Sequence, residues 1–162
     1  MRISVERDIL LKSLNHIQSV VERRNTIPIL SNVKIIANSE GISLTATDLD
    51  LEIIESLDKA STIEDGEITT SAHTVYDIVR KLPEGSTLDI ATKNNDKLEL
   101  SCGQSNFELS TLPVEDFPEM SSGEMSCNFI IDSEELANMI DKSKFAISTE
   151  ETRYYLNGIF FH

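Results

Sequence analysis

Apolar residues recur along the chain in two rhythms, and the switches between them mark out its elements. Leu10, Leu14, Ile17 and Val21 fall at i, i+4, i+7 and i+11, the spacing of one helical face, which leaves Asp8, Lys12, Asn15, Ser19 and Arg23 opposite. That stripe predicts a helix over residues 6–23. A second stripe, Val75, Ile78, Val79 and Leu82, predicts a helix over 72–82 with His73, Asp77 and Arg80 turned outward. The LPEG sequence at 82–85 stops it, because Pro83 cannot continue a helix and Gly85 permits a turn. Elsewhere the rhythm is two, clearest in GISLTAT and DLDLEI, and predicts strands at 1–5, 28–37, 41–47, 50–57, 66–70, 87–92, 97–102 and 105–111, with a turn at KNND.

The first 112 residues thus read as two rounds of strand, helix and three strands. Such a unit can lay two helices side by side and cover their apolar stripes with antiparallel sheet, an α+β architecture. Shifting the chain by 126 positions sets residues 2–36 on residues 128–162 without a gap, with Leu10 on Leu136, Thr26 on Thr152 and Leu30 on Leu156. The same order recurs: apolar strand, acidic helix start, amphipathic helix over 132–145, polar loop, apolar strand in RYYLNGIFFH. A first module is therefore expected over 1–125 and the start of a second copy over 126–162, with LPVEDFPEMSSGEM (112–125) as the linker. The partial copy carries the expectation that the chain is a fragment of a longer protein.

Net charge of −14 argues, taken alone, against a nucleic-acid partner. Its distribution alters that view. Residues 2–24 carry Arg2, Arg7, Lys12, Arg23 and Arg24 against Glu6, Asp8 and Glu22, and residues 71–82 carry Arg80 and Lys81 against Asp77. An acidic body with two locally basic helical segments suits a partner that meets only those segments. The opening MRISVERDILLKSL lacks the apolar core of a signal peptide and no stretch is long enough to span a membrane, so a cytoplasmic protein without a membrane partner is expected.

Little in the chain suggests catalysis. Cys102 and Cys127 form no ligand pair and read as reduced structural thiols. His16 and His73 sit on helices with no nucleophile or acid tied to them, and GxSxG, HExxH, P-loop and GxGxxG patterns do not occur. Asp48, Asp50 and Glu52, two apart, share one face if they lie on a strand; that face could hold a hard divalent cation, or be the solvated side of a strand burying Leu49, Leu51 and Ile53. No catalytic residue, metal or cofactor is expected. RRNTIPIL brings Arg23 and Arg24 to a helix end, either to complement its dipole or to reach outward. In ETRYYLNG, alternation sends Tyr154 and Tyr155 to opposite faces, one inward and one available to a phosphate or a partner.

Six segments, VERDILLKSL, TIPILSNV, SLTATDLDLEI, LPEG, FELSTLPVEDFP and RYYLNGIFF, resemble in order and spacing the N-terminal part of the bacterial DNA polymerase III β subunit family, the sliding clamps. The resemblance implies a DNA-clamp fold of repeated domains, two helices on antiparallel sheets in each. Two three-domain chains would close head to tail as a homodimeric ring around double-stranded DNA, helices lining the hole. It implies a non-catalytic processivity factor that tethers the polymerase, binds DNA without regard to sequence, and receives DNA polymerase III and clamp-loader subunits through short peptide motifs. By position, Arg24, Arg153 and Tyr154 match DNA contacts, as do His73 and Glu150, which stand where the resemblance expects Arg and Gln. Tyr155 and Leu156 match one wall of the peptide groove, and Phe107 and Leu109 the first-domain half of the ring-closing interface. The other readings are a β-rich interaction module that never meets DNA and a metal hydrolase built on Asp48, Asp50 and Glu52.

Overall fold

Residues 1–21, 26–93, 97–120 and 128–161 are described by the computed structural model. They fall into two units, Met1–Ser121 and Ser122–His162. The described residues of the first unit form nine strands: β1 (Arg2–Glu6), β2 (Asn32–Asn38), β3 (Gly41–Thr47), β4 (Glu52–Ser56), β5 (Ser61–Glu64), β6 (Gly66–Ser71), β7 (Thr87–Lys93), β8 (Lys97–Cys102) and β9 (Ser105–Leu112). Every pairing is antiparallel, in the order β4-β3-β2-β6-β9-β8-β7-β1-β5. Strands β4 and β5 end that order on opposite sides, yet only residues 57–60 join them. So short a link spans at most about 14 Å, so the sheet must roll until its ends approach.

Helices α1 (Arg7–Ile17) and α2 (Ala72–Val79) pack on the rolled sheet. The predicted stripe is the buried one: Leu10, Leu14, Ile17 and Val21 are all 4% exposed or less, and they join Val75, Val79, Leu44, Leu88 and Leu98 in a single core. Each such aliphatic side chain contributes about 1.5–3 kcal/mol by leaving water. Ser71 caps α2, its Oγ accepting the Thr74 N–H at 3.4 Å.

Strands β6 and β9 meet over only two residue pairs, Thr69 with Leu112 and Thr70 with Thr111. Buried threonine hydroxyls strengthen the seam: Thr69 Oγ1 donates to the Leu112 carbonyl at 2.7 Å and Thr70 Oγ1 to that of Ser110 at 3.2 Å. Most of the outer edge of β9 therefore ladders with no strand among the described residues.

Several boundaries differ from expectation for local reasons. Helix α1 ends at Ile17 and not Arg23, because the Ser19 and Val20 amides bond back three residues, to His16 and Ile17, and tighten the chain into turns. Pro28–Ser31 is a 3-10 turn, so β2 begins at Asn32. The strand expected from residue 50 begins at Glu52, because Asp48 Oδ1 accepts the Asp50 and Leu51 amides at 3.0 and 2.7 Å and Leu49 turns to φ +81°. The supposed linker is in part packed: Phe117 is buried with Ile29 and Leu30, and the Thr47 hydroxyl donates to Met120 Sδ at 3.6 Å.

In the second unit helix α3 (Ser133–Ser143) starts and stops 126 residues after α1. Asp132 caps it, accepting the amides of Glu134 and Glu135 at 2.9 and 3.2 Å. The strands expected on either side do not form. Residues 128–132 carry no ladder, and Glu151–Leu156 make 3-10 turns. A strand needs neighbours: β1 lies between β7 and β5 and β2 between β3 and β6, whereas no described residue pairs with 128–132 or 157–161. Phe129, Ile130 and Phe145 are correspondingly exposed.

Candidate functional site

The two helices of the first unit run antiparallel, and three ties fix their register. Arg7, at the start of α1, donates from Nε to the Val79 carbonyl at 3.1 Å and from Nη2 to the Arg80 carbonyl at 2.8 Å, at the end of α2. Midway, the Tyr76 hydroxyl donates to Asn15 Oδ1 at 3.4 Å. At the far end, His73 Nε2 lies 3.0 Å from the Val21 carbonyl and donates to it. On the outer side Asn15 of α1 thus meets the half-buried Tyr76 of α2, with Arg80 beside it, while Lys12 and Ser19 are exposed on α1 and Lys12 borders a cleft lined by Glu55, Asp58 and Lys59. The Arg80 guanidinium sits over the Tyr76 ring at 5.8 Å and pairs with Asp77 at 3.2 Å, while Lys12 makes no ion pair with any described residue.

Not every cation counted along these helices faces outward. Arg7 is 9% exposed and its Nη1 pairs with Asp8 at 2.7 Å. The Arg7 bond and then the Gly85 amide, at 3.2 Å, hold the Asp8 carboxyl below the usual aspartate range. The stripe itself held the signal: Arg7 stands three residues before Leu10, on the buried face. His73, expected to point outward, is half-buried, with Nδ1 sequestered and unpartnered among the described residues.

Other nominated residues lie as follows. Arg24 falls within 22–25, outside the described residues. Arg153 and Glu150, both exposed, pair with each other, Nε to Oε2 at 3.0 Å. Tyr154 lies in the 3-10 segment, its side chain outside the described set, with Tyr155 and Leu156 exposed beside it. Phe107 and Leu109 sit on the open part of β9; Phe107 packs half-buried against the core and Leu109 is buried within it. Phe107 also lines a cleft of about 430 Å³ with Ile78, Lys81, Leu82, Pro83 and Ser105.

The carboxylate trio is not assembled on a strand face, since Asp48 and Asp50 belong to the turn and Asp48 holds backbone amides. Leu49 and Leu51, expected inside, are half exposed. No cluster of three His, Cys, Asp or Glu suited to a metal occurs among the described residues. No helix among them is long and apolar enough to cross a membrane.

Residues 1–121 match the family of the DNA polymerase III beta subunit, N-terminal domain. Over 163 aligned residues the chain is 52% identical to the beta sliding clamp of Caulobacter vibrioides, covering all of this chain and 44% of that protein. Against the beta sliding clamp of Pseudomonas aeruginosa it is 41% identical, covering 98% of this chain and 43% of the other. The crystal structure of a DNA polymerase sliding clamp from Caulobacter crescentus superposes with a TM-score of 0.90 at 52% identity, over 98% of this chain and 43% of that one. The chain thus spans less than half the length of the curated relatives it matches.

Proposed function

The chain belongs to the DNA polymerase III beta subunit family, and on that premise we propose that it supplies the first domain, and the opening of a second, of a ring-forming sliding clamp that encircles duplex DNA and tethers a replicative polymerase. The role is non-catalytic and cytoplasmic, and needs no cofactor.

The observation that carries this reading is the antiparallel helix pair, tied at three points, whose outward side presents Lys12, Asn15, Tyr76 and Arg80 on an otherwise acidic body. A clamp needs attraction only on the surface facing DNA, and needs it weak: each phosphate neutralised releases counterions and adds to binding, so a densely basic bore would pin the ring and not let it slide. Amide, hydroxyl and cation donors without base readout suit sequence-independent contact. We assign Arg24, Arg153 and Tyr154 to DNA contact, with His73 and Glu150 in supporting roles: His73 braces α1, and Glu150 holds Arg153 until a phosphate competes for it. Tyr155 and Leu156 form part of a groove for short peptides of polymerase and clamp-loader subunits. The open edge of β9 at Phe107 and Leu109 joins a second chain as the ring closes; such an unpaired edge is otherwise an aggregation hazard.

Duplex binding by the chain across a salt series tests the assignment. The slope of log K against log salt should fall by about 0.9 for each cation removed in Arg24→Ala and Arg153→Ala. Slopes identical to wild type in both variants would remove those residues from the DNA surface.

A further inference from the structure

We propose that Arg7 is a positioning residue, resting on the clamp reading above: it sets the register of α2 on α1 and so assembles the DNA-facing row, although it cannot touch DNA itself. Its guanidinium is buried, which excludes it from phosphate contact. What it does reach is the C-terminal turn of α2. Carbonyls there carry the negative end of the helix dipole, and Arg7 donates to two of them: that of Arg80, and that of Val79, which also accepts the Leu82 amide. Its third arm goes to Asp8 Oδ1, and the other oxygen of Asp8 accepts the Gly85 amide at 3.2 Å. The Arg7 amide closes the set by donating to the Ser86 carbonyl at 2.8 Å. One residue pair at the start of α1 therefore fixes both the end of α2 and the turn that follows it.

The other two ties between the helices are weaker. Tyr76 to Asn15 is an exposed bond at 3.4 Å, and His73 to Val21 is a single bond to a carbonyl. Hydrogen bonds involving a charged partner contribute more than neutral ones, and buried more than exposed. Arg7 is consequently the tie that decides where Arg80 and Tyr76 stand relative to Lys12 and Asn15. The planar fork matters as much as the charge: a lysine ammonium could reach one carbonyl but not bridge two and a carboxylate together.

The test uses the whole chain with Arg7→Lys, which keeps the charge and favours retention of the fold, together with Arg80→Ala and the double variant. Hydrogen exchange reads the tie directly. The amides of Lys81 and Leu82 donate to the Ile78 and Val79 carbonyls at 3.0 and 3.2 Å; in Arg7→Lys they should exchange about tenfold faster, the equivalent of one charge-assisted bond lost, with Leu14 and Ile17 unchanged. Duplex binding across salt reads the consequence. The slope should fall by about 0.9 in Arg7→Lys, by the same in Arg80→Ala, and no further in the double variant. An unchanged slope in Arg7→Lys beside a reduced one in Arg80→Ala would make Arg7 a stability element only and overturn the proposal, as would unchanged exchange at Lys81 and Leu82. Absence of salt-dependent binding by the wild-type chain would instead defeat the clamp reading, and the exchange result alone would then decide whether Arg7 sets the helix register.

Discussion

Replacing Phe117 with alanine should loosen the segment that leaves the first unit. The ring is 5% exposed in a small cluster with Ile29 and Leu30, and the Lys34 ammonium stands 6.0 Å from its centroid. Withdrawing a phenylalanine side chain from water is worth about 1.5–3 kcal/mol, and a cation at the outer limit of ring attraction adds about 0.5 kcal/mol. Among the described residues two other buried side chains form this cluster, so the hole can collapse, and the cost should stay near the transfer value, about 2–3 kcal/mol, below the upper range for deep cores. With a urea dependence of about 2 kcal/mol per molar, the unfolding midpoint should drop by about 1 M. Cleavage after Glu119 by a Glu-specific protease should accelerate in parallel, because the Met120 contact with Thr47 would then hold the end of the segment without the buried ring beside it. Phe117→Leu should recover most of the loss. A midpoint within about 0.2 M of wild type, with cleavage unchanged, would refute the idea that Phe117 pins residues 113–120.

Gly66→Ala should destabilise by about 1–3 kcal/mol, since φ there is +151° and a Cβ would lie 3.0–3.3 Å from Met1, whose ammonium donates to Thr92 Oγ1; thermal melts check it, and an unchanged Tm would contradict it. Asp8 has its carboxyl pKa lowered by Arg7 and Gly85, so its contribution is complete above the unfolded value and lost as pH falls through the lower folded value. The Tm gap between wild type and Asp8→Asn should accordingly be constant from about pH 5 to 7 and shrink below about pH 4; a gap that widens in acid would reverse the sign. Phe107→Asp, placed in a chimera joining this chain to the remainder of the Caulobacter vibrioides clamp, should sediment as a monomer, and a persistent dimer would remove Phe107 from the interface.

Local rhythm made the helices legible. The stripe of Leu10, Leu14, Ile17 and Val21 named the buried face of α1, and the self-shift located α3 to within two residues at each end, because a helix satisfies its own backbone and its pattern is read within one segment. The order of nine strands was not legible, because ladder partners lie far apart in sequence: β1 pairs with β7 and β5, and the four-residue β5 offers too little alternation to be seen. The same non-locality explains the strands expected in the second unit, where the pattern is present and no described residue pairs with it.

At the candidate site, charge counting treated Arg7 as surface, although its place on the apolar stripe marked it as interior. Asp48 misled in the opposite way: a carboxylate spaced for a strand face serves its own turn, and only the hydrogen bonds reveal that. His73 was expected on the outer face but is half-buried, because its bond to Val21 depends on how two helices cross, which periodicity cannot express.

Retention on DNA tests the central claim most directly. The chimera should be loaded onto a nicked circular plasmid, washed at high salt, and the plasmid then cut once. A ring held by topology stays on the circle through salt that dissolves phosphate contacts and slides off once an end is made. Release by salt alone, or persistence on the linear product, would contradict the account.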